Sequence, residues 1–184
     1  MKSQDIVVLL KLISLQKNDQ FKHDENRSEN YSVRALAELL GISKSEVNYS
    51  INRSKYSGLL IKSRNNSNPH VNIRAFHQFI VHGLKYVFPT KPGPLARGIA
   101  TGFAAPVLEN KLLSAGEEIY VWPDAKGDEK GQSIEPLFKT VPFAIKNDEF
   151  LYGALALIDA IRLGKPREVK VATEELAQKL LNDG

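Results

Sequence analysis

Tyr31-Ser-Val-Arg-Ala-Leu-Ala-Glu-Leu-Leu-Gly-Ile-Ser-Lys-Ser-Glu-Val47 reads as a short helix, a tight turn and the start of a second helix. The Ser32 hydroxyl is placed to accept a backbone N–H left unpaired in the first turn of a helix over 33–40, and Tyr31 is placed to staple onto Leu36. Gly41 stops that helix, because a residue without Cβ adopts the left-handed conformation of a helix end at little cost. Ser43-Lys-Ser-Glu46 then matches the S-x-x-E capping box, in which Ser43 and Glu46 each cap the other, and a second helix is expected to run to about Tyr56.

The second helix separates two faces. With Val47 at zero and ~100° per residue, Val47, Ser50, Ile51 and Ser54 gather on one side, suited to packing on Leu36, Leu39 and Leu40. The opposite side centres on Ser45, Tyr49, Asn52 and Tyr56, flanked by Lys44, Asn48, Arg53 and Lys55. Short hydrogen-bonding side chains suit base edges and cations suit phosphates. Glu46, expected to be occupied by the cap, leaves that side without a free acid.

Outward from the helix, Gly58 releases the chain into Leu59-Leu-Ile-Lys-Ser63. Arg64-Asn-Asn-Ser-Asn-Pro69 is a turn cluster and His70-Val-Asn-Ile73 returns as a second strand. A helix, a three-residue turn and a helix followed by a small hairpin is a DNA-reading arrangement. In that arrangement Ser45, Asn48, Tyr49, Asn52 and Arg53 face bases. Lys44, Lys55, Lys62 and Arg64 face phosphates, and Arg64, Asn65 and Asn66 form a wing tip suited to a phosphate or the minor groove.

Charge points the same way. From Tyr31 to Arg74 seven Lys and Arg stand against two acids, a net of +5, which exceeds the +4 of the whole chain; residues 1–30 balance at five and five. Residues 108–150 carry five Lys and nine acids, a net of −4, so a basic module is followed by an acidic one. At 184 residues the length accommodates two small domains, and the charge reversal favours a division into 1–73 and 74–184. The absence of cysteine removes disulfides, thiolate catalysis and thiolate-bound zinc, and fits a reducing cytoplasm. The apolar run Ile6–Leu15 is interrupted by Lys11, lacks a cleavage site and is shorter than the ~20 residues of a spanning helix, so no membrane segment is expected. It is read as a first helix capped at Ser3, with a polar loop over 18–30 behind it.

Residues Ser32–Val47 and the Leu59–Ile73 hairpin resemble the winged helix-turn-helix domains of bacterial transcriptional regulators of the MarR-like kind. The resemblance covers under half the chain and implies a DNA reader on a homodimer. It departs from the MarR pattern after the wing, where the segment is long, Pro-rich and acidic. The layout is also similar to small winged-helix proteins that act as autorepressing antitoxins, which implies a protein partner for the C-terminal half.

In that half, Asn72 is placed to cap a helix over about 74–87 with an apolar stripe through Phe76, Phe79, Ile80, Gly83, Leu84 and Val87. Pro89-Thr-Lys-Pro-Gly-Pro94 breaks it. Leu95–Pro106 reads as a packed loop, since its glycines and Arg97 lack the order of a phosphate loop. Ile119–Trp122 reads as a short strand and Asp124–Gln132 as a solvated loop. Two helices over 148–163 and 166–181 form an αα-hairpin suited to a core, a dimer or a partner. His23, His70, His77 and His82 lie in no metal-ligand spacing, with His70 and His77 read as surface residues, and no catalytic motif or cofactor fingerprint occurs. The expectation is a non-enzymatic chain, mainly α with a small β wing: a winged helix-turn-helix domain followed by a mostly helical C-terminal domain. It needs no cofactor and binds double-stranded DNA as a homodimeric regulator.

Overall fold

The computed structural model describes residues 1–21, 27–62, 68–109, 111 and 119–181. Over these the chain is mainly helical with few strands. Its first half comprises α1 (Ser3–Phe21), α2 (Arg27–Asn30), α3 (Val33–Leu40), α4 (Lys44–Tyr56), β1 (Leu60–Lys62) and β2 (Pro69–Val71). Its second half comprises α5 (Ile73–His82), α6 (Leu84–Val87), β3 (Leu95–Thr101), β4 (Tyr120–Pro123), β5 (Glu129–Ser133), α7 (Val141–Ala144), α8 (Glu149–Leu163) and α9 (Pro166–Leu181).

Two helices are buried on every side over most of their length, and both lie at the centre. On α1 every residue from Gln4 to Ser14 is buried, and on α8 so is every residue from Gly153 to Ile161. A helix hydrophobic on all sides has to be covered on all sides. α1 meets α3, α4 and β2 on one side and α8 on another, while α8 is covered by α1, α6, α9, β3 and the 3-10 turn Gly102–Ala104. One contiguous core therefore runs from Ile6 through Leu36, Phe76 and Leu151 to Leu180, across the boundary at 73. Of the uses that the sequence left open for the C-terminal hairpin, a core, a dimer or a partner, the stripe of α8 serves the core: Leu151, Ala154, Leu155, Ile158 and Ile161 all lie inside.

The C-terminal half holds a sheet that the sequence reading lacked. β3 pairs antiparallel with both β4 and β5, and those two pair in parallel, closing a three-stranded barrel. Leu95–Thr101 is thus a strand, not a loop, and Glu129–Ser133 is a strand at the end of the expected loop. The strands cross so closely that a Cβ on Gly98 would collide with the Trp122 carbonyl, and one on Gly127 with the Gly98 backbone. α8 is fastened to this barrel by Asp159, whose carboxylate accepts hydrogen bonds from Trp122 Nε1 at 2.6 Å and Thr101 Oγ1 at 3.0 Å and pairs with Arg162 at 2.7 Å.

The expected helix over 74–87 is interrupted. α5 ends at His82 and α6 restarts at Leu84, with Gly83 packed directly against the Phe79 ring. His77, read from the sequence as a surface residue, is buried, because α9 covers that side of α5. Burial favours its neutral form and lowers its pKa below the ordinary 6.5, against the weaker opposing effect of a hydrogen bond to the Thr173 backbone. With the folded pKa depressed, the unfolded chain takes up a proton first as pH falls. Stability is therefore expected to decline below about pH 6.5, and His77→Gln should flatten that part of a curve of urea midpoint against pH. An identical acid limb in the variant would assign the decline to other groups.

Candidate nucleic-acid interface

The α3–turn–α4 segment is built from its caps. Ser32 Oγ accepts the Ala35 N–H at 3.1 Å, and Ser43 Oγ accepts the Glu46 N–H at 3.3 Å. Between them Gly41 adopts φ 63°, the left-handed conformation that favours glycine, and the N–H groups of Gly41 and Ile42 return to the Ala37 carbonyl. The Phe143 ring of α7 and Thr140 press on Gly41 from outside, a neighbour that nothing local in the sequence announces.

Only half of the capping box forms. The Glu46 carboxylate leaves Ser43 and accepts the Gln4 side-chain amide, with the Lys2 ammonium 3.6 Å away. The Gln4 hydrogen bond, helped by the charges of Lys2 and Arg53, holds the Glu46 pKa below the ordinary value. The acid is occupied, as the sequence required, but by α1 and not by the cap.

α4 divides as its spacing predicts. Val47, Ser50, Ile51 and Ser54 are its buried residues. Lys44, Ser45, Asn48, Asn52 and Lys55 are exposed, and so are the rings of Tyr49 at 56% and Tyr56 at 97%.

Arg53 is placed differently. Its guanidinium turns inward onto α1, where Nε and Nη2 donate to the Asp5 carboxylate at 2.9 and 2.7 Å, and Asp5 is fully buried. These hydrogen bonds and the Asp5 charge raise the Arg53 pKa. Asp5 also accepts the Lys2 N–H at 2.8 Å, so the start of α1 is tied to the side of α4. The helical wheel puts Arg53 on a flank, and the carboxylate that captures it lies 48 residues away.

The hairpin follows α4 directly. β1 and β2 pair antiparallel in the register Leu60↔Val71, Ile61↔His70 and Lys62↔Pro69. Leu60 and Val71 point into the core, while Ile61 and His70 are exposed. Gln16 of α1 anchors the hairpin through the Pro69 carbonyl at 2.9 Å. Arg64, Asn65 and Asn66, expected at the tip, lie outside the described residues, as does the side chain of Lys62.

Among the described residues no group of three His, Asp or Glu side chains is placed to hold a metal ion, and no helix is long and apolar enough to cross a membrane. Compared with protein-family models, curated proteins and solved structures, the chain matches none.

Proposed function

We propose that this chain is a cytoplasmic, sequence-specific regulator that reads double-stranded DNA with α4 and represses by occupying its operator. The observation that carries this reading is the outer face of α4. Lys44, Ser45, Asn48, Tyr49, Asn52, Lys55 and Tyr56 all reach solvent there, and Glu46, the acid of this helix, is held by Gln4 and Lys2. A face of short polar and cationic groups with no free acid suits a duplex, whose phosphates repel carboxylates and attract ammonium groups. The helix, three-residue turn, helix and following hairpin support a winged helix-turn-helix, with α3 crossing the backbone behind the reader and the hairpin as wing. One reader helix makes few contacts, so a homodimer on a palindrome with half-sites one helical turn apart, roughly 34–36 Å, is part of the proposal.

Titration of a labelled duplex with the full chain at several salt concentrations tests it. Lys44→Ala and Lys55→Ala should each weaken operator and random duplex alike, and each should flatten the slope of log K against log salt by about 0.9. Unchanged slopes in the double variant would remove α4 from the DNA. A second reading, a module that neutralises a protein partner as an antitoxin does, draws on the exposed Tyr86, Val87 and Leu95 at 74%, 53% and 69%. Under that reading the Lys44/Lys55 double variant keeps its partner and its effect on the cell.

A further inference from the structure

Guanine is read in the major groove by a forked arginine, or by lysine, on its O6 and N7. The arginine of α4 is taken out of that role by Asp5. The pair is bidentate, the carboxylate has no exposure at all, and the guanidinium keeps only a quarter of its own. Swinging Arg53 to a base edge would strand a buried negative charge, so the free protein holds it off the reading face.

The side chains left on that face have a different chemistry. Asn52 sits at its centre and Asn48 one turn before it, each a carboxamide with an NH2 group that donates and a carbonyl oxygen that accepts. That pair of groups matches N6 and N7 of adenine. Tyr49 is the i−3 neighbour of Asn52 on the helix surface, close enough for the two to address one base pair or two adjacent ones. An A·T pair presents adenine N6 and N7 beside the thymine C5 methyl, a polar edge next to an apolar one. The exposed Tyr49 ring is the apolar surface beside Asn52 that such a methyl needs. With ~100° per residue, Lys55 and Lys44 lie ~60° and ~80° from Asn52, both on the side away from Tyr49, toward one groove wall where phosphates run.

We infer that the operator half-site presents A·T pairs to α4, with adenine on Asn52 and the thymine methyl on Tyr49, and that the Asp5–Arg53 pair enforces this by withholding guanine recognition. The inference rests on the DNA-reading role proposed above.

The test uses the full-length protein and a random duplex library, retained at low salt, sequenced and resynthesised with single-atom changes. The expected consensus is A·T-rich where α4 docks. Deoxyuridine for the thymine facing Tyr49 removes only the methyl and should weaken binding about fourfold, while Tyr49→Ala should bind both duplexes equally. 7-Deazaadenine removes N7 and should weaken wild-type binding about tenfold without affecting Asn52→Ala. Both positions are exposed, so the variants should melt like the wild type. Asp5→Asn should free Arg53, and the consensus it selects should gain a guanine.

Wild-type binding indifferent to deoxyuridine and 7-deazaadenine, or a wild-type consensus with guanine opposite α4, would overturn the base assignment and leave DNA reading intact. An Asp5→Asn consensus identical to the wild type would overturn the pair as its cause. Failure to retain any duplex at low salt would remove both the assignment and the reading beneath it.

Discussion

Asp148→Ala should destabilise the protein by ~3–5 kcal/mol, the usual cost of stranding one partner of a buried ion pair. Lys11 of α1 points its ammonium into the core, where Asp148 accepts it at 2.8 Å; both side chains are less than a tenth exposed. The same carboxylate accepts the Ser14 hydroxyl at 2.8 Å and caps α8 through the Leu151 N–H at 2.8 Å. The variant thus loses a cap and leaves a buried cation without its carboxylate. For a chain of this size a loss of 1 kcal/mol lowers Tm by ~2–4 °C, so a fall of roughly 6–20 °C is expected in a calorimetric scan. Adding Lys11→Met should recover most of it, because the methionine fills much of the space of the lysine stem without a charge. The scan also tests how the halves are joined. Since α1 and α8 share one core, the expected melt is a single transition that shifts as a whole. Two transitions of which only one responds would show that residues 1–73 fold without the rest.

Asp159→Ala should cost a similar ~3–5 kcal/mol, through stranded donors. Its carboxylate binds Trp122 Nε1, Thr101 Oγ1 and Arg162, whose side chain is itself 4% exposed and donates onward to the Phe88 carbonyl at 2.9 Å. Alanine would leave an indole N–H, a hydroxyl and a guanidinium facing a void. Trp122 is the single tryptophan of the chain, so its fluorescence reports on this joint directly. Urea unfolding should show the emission shifting at a lower midpoint than in the wild type. Asp159→Asn, which keeps an acceptor for the indole but loses the charge facing Arg162, should fall between the two. A change below ~1 kcal/mol for Asp159→Ala would mean that the network is replaceable by water.

What was legible in the chain was what neighbours decide. The caps of α3 and α4, the stop at Gly41 and the buried set Val47, Ser50, Ile51 and Ser54 follow from interactions within four residues, and the structure has them. What stayed hidden depends on partners far along the chain. Glu46 finds Gln4 across 42 residues and Arg53 finds Asp5 across 48, so neither the S-x-x-E spacing nor a wheel drawn on α4 reveals these partners. The barrel escaped for a related reason. β3 shows no strict alternation, with the burial of Leu95–Thr101 running from exposed to buried along its length, and its partners lie 19 to 37 residues on. Its visible trace was the glycines: Gly98 and Gly127, read as marks of a loop, are where backbones pass too close for a side chain. His77 shows the same limit, since α9, which packs on α5, follows nearly a hundred residues later.

The all-round burial of α1 has a consequence for how the protein is made. Ile6–Ile13 leave the ribosome well before α8, which covers them and follows about 150 residues later. At roughly 5–20 residues per second, that helix waits ~7–30 s for its second neighbour. During synthesis α3, α4 and the hairpin can shield only one of its sides. The nascent chain should therefore be a client of the factors that hold apolar segments at the exit tunnel. Synonymous codons that slow translation between α4 and α8 should lower the soluble yield without altering a single residue of the finished molecule.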